Sequence, residues 1–496
     1  MDYIWYFILL AIIVVFSLII SNIRATKRLK ALLINSFGKI PKQKKCEFES
    51  IAAYHRYKLA NLNESNIIDS ITWDDLDMNL IYKRINCCLT SVGEEYLYDA
   101  LHNVQKEESI LIKREKLITY LKENPDHRLK LQMNLAKTGK YNYNDISSFI
   151  FNAEAKSLKY NYLYNILALI PLLCISISFI NTQASILSFI ISAILNGFVY
   201  YRTKAKIERE LSAIQYFSSV LQCVNKVLKT QGYESVPFFS ELKKSFIIFK
   251  HLRTKLSDIM RKDFSDMAVL AEYLKIIFLL DIRNYNKTIK MILKYSDDFH
   301  ILYKSLGEID MAICVLSFRE SLPYYCTPVF HNENSIGFEN FYHPLLSAPV
   351  PNSGKISNDS IITGSNASGK STFIKALAVN GILGQTIHTN TAKEFNLRFS
   401  LIVTSMAVRD NIAEGDSYFI IEIKSLKRIL DKVKETTCTC FVDEILKGTN
   451  TIERIAASAS ILKYLHNIDC LCITASHDIE LTHILSNEYD NYHFRE

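Results

Sequence analysis

The sequence predicts a multidomain fold: a mainly α-helical region interrupted by transmembrane helices, then a C-terminal α/β domain. Three observations predict it. Charge-free apolar segments occupy residues 3–23 and the stretch between Lys159 and Arg202. An apolar seam spaced alternately three and four residues apart runs from Ile292 to Leu316. From about residue 335, short apolar runs alternate with helical patterns, the signature of a largely parallel sheet with helices on its faces.

The bulk numbers agree with this reading. A chain of 496 residues is long enough for two or three domains. Hydrophobic residues make up 49% and charged residues 22%, which fits a globular protein carrying membrane segments. A net charge of +7 is mild for this length and does not argue a dedicated nucleic-acid surface. The 11 cysteines form no CxxC pair, so a zinc site has little support. Several lie in apolar runs such as CTCFV and CLCIT, where Cys acts as a small hydrophobe. A reducing, cytosolic setting is expected for the soluble parts.

Residues 3–23 are long enough and apolar enough to span a bilayer. Arg24, Lys27, Arg28, Lys30, Lys39, Lys42, Lys44 and Lys45 follow with no acid among them, which places that side in the cytoplasm. A signal peptide would start basic; this chain starts Met1-Asp2. The second region suits two spans, near Tyr162–Ile180 and Ile186–Tyr201, with NTQAS as the outer turn. Lys156 and Lys159 flank one end; Arg202, Lys204 and Lys206 flank the other. The expectation is a multi-pass membrane protein with three spans and its other regions on the cytoplasmic side. A buried helical hairpin is the alternative.

The expected domains are an anchor at 1–23, a helical part at 24–159, a membrane hairpin at 160–201, a second helical part at 202–330 and the α/β domain at 335–496. Ile292, Tyr295, Phe299, Leu302, Leu306, Ile309, Ile313 and Leu316 form the seam of one long helix, which Pro323 and Pro328 end. Lys243, Lys244, Lys250, Arg253 and Lys255 could meet phosphates, although a solvated helix face is the more ordinary reading.

The chemistry concentrates in the last domain. Gly364-Ser365-Asn366-Ala367-Ser368-Gly369-Lys370-Ser371 matches GxxxxGK[ST], follows a short apolar run and opens a helix. Glycines let the backbone curl so that its N–H groups converge on a phosphate, and the helix N-terminus adds its positive dipole end. Lys370 can reach the outer phosphates, Ser371 can hold Mg²⁺, and Thr372 completes the motif's edge. Asp443 ends the run CTCFV and can hold Mg²⁺, usually through water. Glu444 beside it is placed to orient or deprotonate an attacking water. His477 ends the run CLCITAS and can bond a terminal phosphate. In EGDSYFIIE, Gly415 and Ser417 stand at a helix start, where they can donate to a phosphate belonging to a second subunit.

TGSNASGKST, EGDSYFIIE, FVDEILKGTNT and TASHDIELTHIL, in that order, resemble the MutS family of ABC-type ATPases. That family shows TGPNxGGKST, GxSTFxxE, DEIGRGTST and ATHxxEL. His343-Pro344 is similar to the HP preceding its phosphate loop. Upstream, Arg84 to Leu97 resembles the start of the family's helical core, and Leu306–Ala312 running on to Pro328 resembles the end of its lever helices. The resemblance implies a P-loop ATPase domain and ATP with Mg²⁺. It implies that Asn366, Lys370, Ser371, Asp443, Glu444 and His477 act in cis and Ser417 acts in trans within a head-to-head homodimer. Duplex DNA is a partner implied by the family, not shown by residues here. No counterpart of the mismatch-reading domain is recognised.

The favoured expectation is a membrane-tethered ATP hydrolase that opens and closes helical arms on a partner. An ABC-type ATPase energising a membrane process, or a nucleotide-gated membrane scaffold for an unknown protein partner, stays open as the alternative.

Overall fold

The computed structural model describes residues 2–42, 46–61, 66–141, 147, 151, 158, 161–230, 232–233, 236–259, 266–365, 368–406, 418–446 and 449–495. The chain is mainly helical as far as Glu320, and a C-terminal α/β region with a parallel sheet follows.

Local signals set many of the helix ends. Thr90 caps Ser91–His102 by accepting from the Gly93 N–H at 3.0 Å. Pro125 opens Pro125–Thr138, where its missing N–H costs nothing, and Gly139 leaves that helix at φ 71°. Asn181 caps the helix Thr182–Leu228, accepting from Gln183 and Ala184.

The apolar seam is divided between two helices, Leu280–Lys294 and Ser296–Glu320, with Tyr295 at the non-helical junction. Asp297 and Asp298 in the first turn are the helix-start signal that the continuous seam concealed. Phe299, Leu302, Leu306, Ile309, Ile313 and Leu316 are buried on the second helix.

That helix is the spine of the helical region, and Ser91–His102 lies against it. A Cβ on Gly93 would sit on the Asp310 carboxylate, and one on Gly307 would lie 2.5 Å from the Tyr96 ring. The two backbones therefore approach closely only because both positions are glycine. Asp310 is fully buried. Its Oδ2 accepts from the Thr90 N–H at 2.8 Å and from the Thr90 hydroxyl at 2.6 Å.

The expected placement as a multi-pass membrane protein does not hold. Two helices, Asn161–Phe179 and Thr182–Leu228, are long and apolar enough to cross a membrane, by length and composition only. Core helices and signal sequences meet the same criterion of length and composition. Segment 3–23 falls within the helix Asp2–Ser36. The helix starting at Thr182 runs on for 47 residues into the helical region. Asn196 donates to the carbonyls of Leu167 and Ile277, and the Tyr200 hydroxyl to Asp281 at 2.7 Å. The hairpin thus has protein partners on one side, while Phe179, Ile180, Ile194 and Phe198 are exposed.

The α/β region holds two sheets. Strands β1 (Val329–Phe330), β2 (Ile336–Phe341), β3 (Asn352–Ile356) and β5 (Glu394–Leu397) form a mixed sheet in the order β1-β5-β2-β3. Strands β4 (Ser360–Gly364), β6 (Leu401–Ser405), β7 (Cys438–Asp443), β8 (Cys470–Ala475) and β9 (Asp490–Phe494) form an all-parallel sheet in the order β6-β7-β8-β4-β9. β8 is buried throughout, and β7 is buried up to Asp443, as expected for strands covered on both faces.

Two polar junctions join the helical region to this sheet. At one, Arg114 pairs with Glu308 at 2.9 Å, both side chains almost wholly buried, and donates to the Thr386 carbonyl. Beside it, Arg319 makes a two-point pair with Glu115 at 2.8 and 2.7 Å and donates to Thr389 and the His388 carbonyl. At the other, Asp75 accepts from Thr404 and Met406 at the end of β6, while Arg428 joins Asp69 to the Thr404 carbonyl.

Burial alone would raise the Glu115 carboxyl pKa. Arg319 and His388 outweigh it and bring it from 4.5 down to about 2. A depressed carboxyl contributes stability above its unfolded pKa and loses it as pH falls toward the folded value. Glu115→Gln should therefore lower the urea midpoint at neutral pH. The gap to the parent protein should narrow as pH falls below about 4.5 toward about 2. A gap independent of pH would remove the charge on Glu115 from the account.

Candidate functional site

Because β7, β8 and β4 are parallel neighbours, their C-terminal ends share one edge of the sheet. Ligands of open α/β sheets bind at that edge. Three sequence motifs end there: the Gly364 loop after β4, Asp443-Glu444 after β7 and Ser476-His477 after β8.

The loop is built on two glycines with different needs. Gly364 has φ 146°, and a Cβ there would lie 2.6 Å from the Phe494 carbonyl oxygen of β9. Gly369 has φ 90° and stands just before the helix Lys370–Ile387, with open space where a Cβ would go. Between them the Ser368 hydroxyl donates to the Ser365 carbonyl at 2.8 Å. Lys370 is 4% exposed, and its Nζ donates to the Gly364 and Ser365 carbonyls at 2.7 Å each. A cation is thereby folded into the loop at a helix N-terminus, the arrangement that suits a phosphate anion. Ser371 and Thr372 are exposed in the first helical turn.

Asp443 stands opposite Ala475 in the register of β7 and β8. The next residue, Glu444, adopts φ 58°, and its N–H donates to the Ala475 carbonyl at 3.0 Å. That turn brings the Glu444 carboxylate to 3.1 Å from His477 Nε2. Asn366, Ala367 and Ser417 lie outside the described residues.

The surroundings add residues that motif reading did not single out, beside His343, which it did. Phe373 on the loop's helix packs edge-on against Phe338, Phe341 and Phe494. Lys375 pairs with Asp77 of the helical region at 3.2 Å. His343 sits nearby, its pKa brought down to about 4 by burial and by Lys375. Asn450 caps the helix Thr451–His466, accepting from the Glu453 N–H at 3.0 Å. Arg454 in that helix pairs with Asp478. The Asn450 cap was readable as an N-x-x-E capping pattern, whereas the Arg454–Asp478 pair has no sequence signal at that separation. β9, whose end closes over Gly364, carries no clear strand signal, because YDNYHF alternates too little.

The sheet and its loop define a parallel α/β domain with a glycine loop at the C-terminal end of β4. Residues 360–495 match the family model described as MutS domain V. Through that domain the chain is similar to proteins of the MutS family. The DNA mismatch repair protein MutS of Pseudothermotoga lettingae is 35% identical over 198 residues, 38% of this chain and 24% of that protein. Human MutS protein homolog 4 is 30% identical over 218 residues, 41% of this chain and 23% of that protein. Human DNA mismatch repair protein Msh3 is 30% identical over 218 residues, 40% of this chain and 19% of that protein. The chain thus spans about a quarter or less of the length of these relatives. Relatives named for DNA mismatch repair lend no support to a multi-pass membrane localisation, and that expectation is corrected on this ground as well.

The two glycines separate in mutation. Gly369→Ala adds left-handed strain of about 1–2 kcal/mol and no clash. Gly364→Ala adds a clash with the β9 backbone to comparable strain. Thermal unfolding should show Gly364→Ala as the more destabilised of the two. Equal melting temperatures would mean that β9 does not close over the loop.

Proposed function

We propose that the chain binds and hydrolyses ATP with Mg²⁺ as a MutS-type ATPase. The observation that carries this reading is the convergence of Lys370, Asp443, Glu444 and His477 on one edge of a parallel sheet. The residues suit the group: a buried lysine in a glycine loop, a helix N-terminus and a carboxylate at a strand end. Gly364 to Ser371 would hold the phosphates and Lys370 would meet their charge. Ser371 and Asp443 would hold the metal, which neutralises developing negative charge when bound. Glu444 is the candidate to orient the attacking water, and His477, 3.1 Å from it, would steady it and bond a terminal phosphate.

Family resemblance supplies the rest of the proposal. Two copies would meet head to head, with Ser417 of each reaching the nucleotide of the other. The two polar junctions would pass changes at the loop's helix to the helical region, whose arms would open and close on duplex DNA.

The test is ATP turnover of the full chain, with and without homoduplex and mismatched DNA. Glu444→Gln should retain nucleotide binding and lose turnover by on the order of 100-fold or more. Lys370→Ala should weaken binding itself. Turnover that survives in Glu444→Gln would sink the assignment of the base. Turnover indifferent to DNA would remove the DNA partner and leave the ATPase.

A further inference from the structure

We propose that Arg454 is a positioning residue for the Glu444–His477 pair, acting through its ion pair with Asp478. Its effect on turnover rests on the ATPase reading above; its effect on geometry does not.

The segment carrying His477 is anchored at both neighbours. On one side, the Ser476 N–H donates to the Ile362 carbonyl of β4 at 3.1 Å. On the other, Arg454 grips Asp478 at two points, Nε to Oδ2 at 2.8 Å and Nη2 to Oδ1 at 2.5 Å. The single residue between these anchors is His477. A two-point guanidinium–carboxylate contact fixes plane as well as distance. The His477 side chain is 39% exposed and pairs with Glu444.

Asp478 gives up a local role to make this contact. It stands at the N-cap of Ile479–Ile484, yet its side chain makes no capping bond there. Its own N–H donates to the Ser476 hydroxyl at 3.0 Å, which tightens the turn around His477. Arg454 is in turn steadied by its helix, whose start is fixed by Asn450 and by the Thr449–Glu453 bond at 2.8 Å.

The division of labour is clear from the two sides of the pair. Glu444 is placed by backbone: a left-handed φ and an N–H bond to β8. His477 is placed by one backbone bond, from Ser476 to Ile362, and by the Arg454–Asp478 side-chain pair on its other side. An ion pair with both partners partly exposed contributes little to global stability. Its loss should therefore appear as a displaced His477, not as an unfolded protein.

The experiment uses the full chain with Arg454→Ala, Arg454→Lys and the exchange of Arg454→Asp with Asp478→Arg. Four quantities are read: melting temperature, affinity for a fluorescent ATP analogue, kcat, and amide hydrogen exchange of residues 476–483. Arg454→Ala should speed exchange in that segment and lower kcat by on the order of 10–100-fold, with affinity within about twofold of the parent. Arg454→Lys should recover only part of both, because an ammonium cannot make the two-point contact. The exchanged pair should recover protection and most of kcat. Unchanged protection at 476–483 in Arg454→Ala overturns the proposal. So does a joint fall of kcat, affinity and melting temperature, or an exchanged pair that recovers neither protection nor kcat. A parent protein without turnover would defeat the ATPase reading alone, since the exchange measurement still decides the positioning.

Discussion

The far end of the helix that follows the Gly364–Gly369 loop is held by two arginines, and much of the molecule depends on that hold. Arg114 and Arg319 reach from the helical region to the carbonyls of Thr386 and His388, where Lys370–Ile387 ends. Each arginine is charge-matched, Arg114 by Glu308 and Arg319 by Glu115. A buried guanidinium without its carboxylate would cost on the order of several kcal/mol, so each arginine forms or fails with its own carboxylate. The helix N-terminus belongs to the loop, and its C-terminus belongs to the helical region. A rigid rod of 18 residues therefore spans the two parts of the chain.

The second junction reaches the same sheet from another side. Asp69, Thr72 and Asp75 occupy one short helix and its cap, and they bind the end of β6 and the Arg428 guanidinium. One junction thus meets the helix after β4, and the other meets β6 and the helix Tyr418–Glu435. The helical region has two separate grips on one sheet. That is the physical basis on which a change at the sheet edge could move helices far from it.

The candidate site was largely legible because its parts are local. GSNASGKS carries its own glycines, its lysine and the start of its helix, and CTCFVDE and CLCITASH each show a strand and what ends it. The seam of the spine helix was legible as a pattern but not in extent, since periodicity continues smoothly through Tyr295 while the backbone does not. The apolar hairpin shows the opposite limit. Hydropathy reports composition, and the bonds of Asn196 and Tyr200 to neighbouring helices are invisible to it.

By itself the sequence determined a mainly helical chain with a parallel α/β domain at its C-terminal end, and the kinship that its ordered motifs declare. These follow from periodicity, turn chemistry and short motifs, all of which act between residues close in the chain. Only the tertiary structure decided which residues meet across long separations. Gly93 lies against Asp310, Arg114 against Thr386, Asp75 against Thr404 and Arg454 against Asp478. Such contacts arise when buried charges and close backbones find complementary partners. A carboxylate in a sequence gives no sign of which distant arginine will satisfy it.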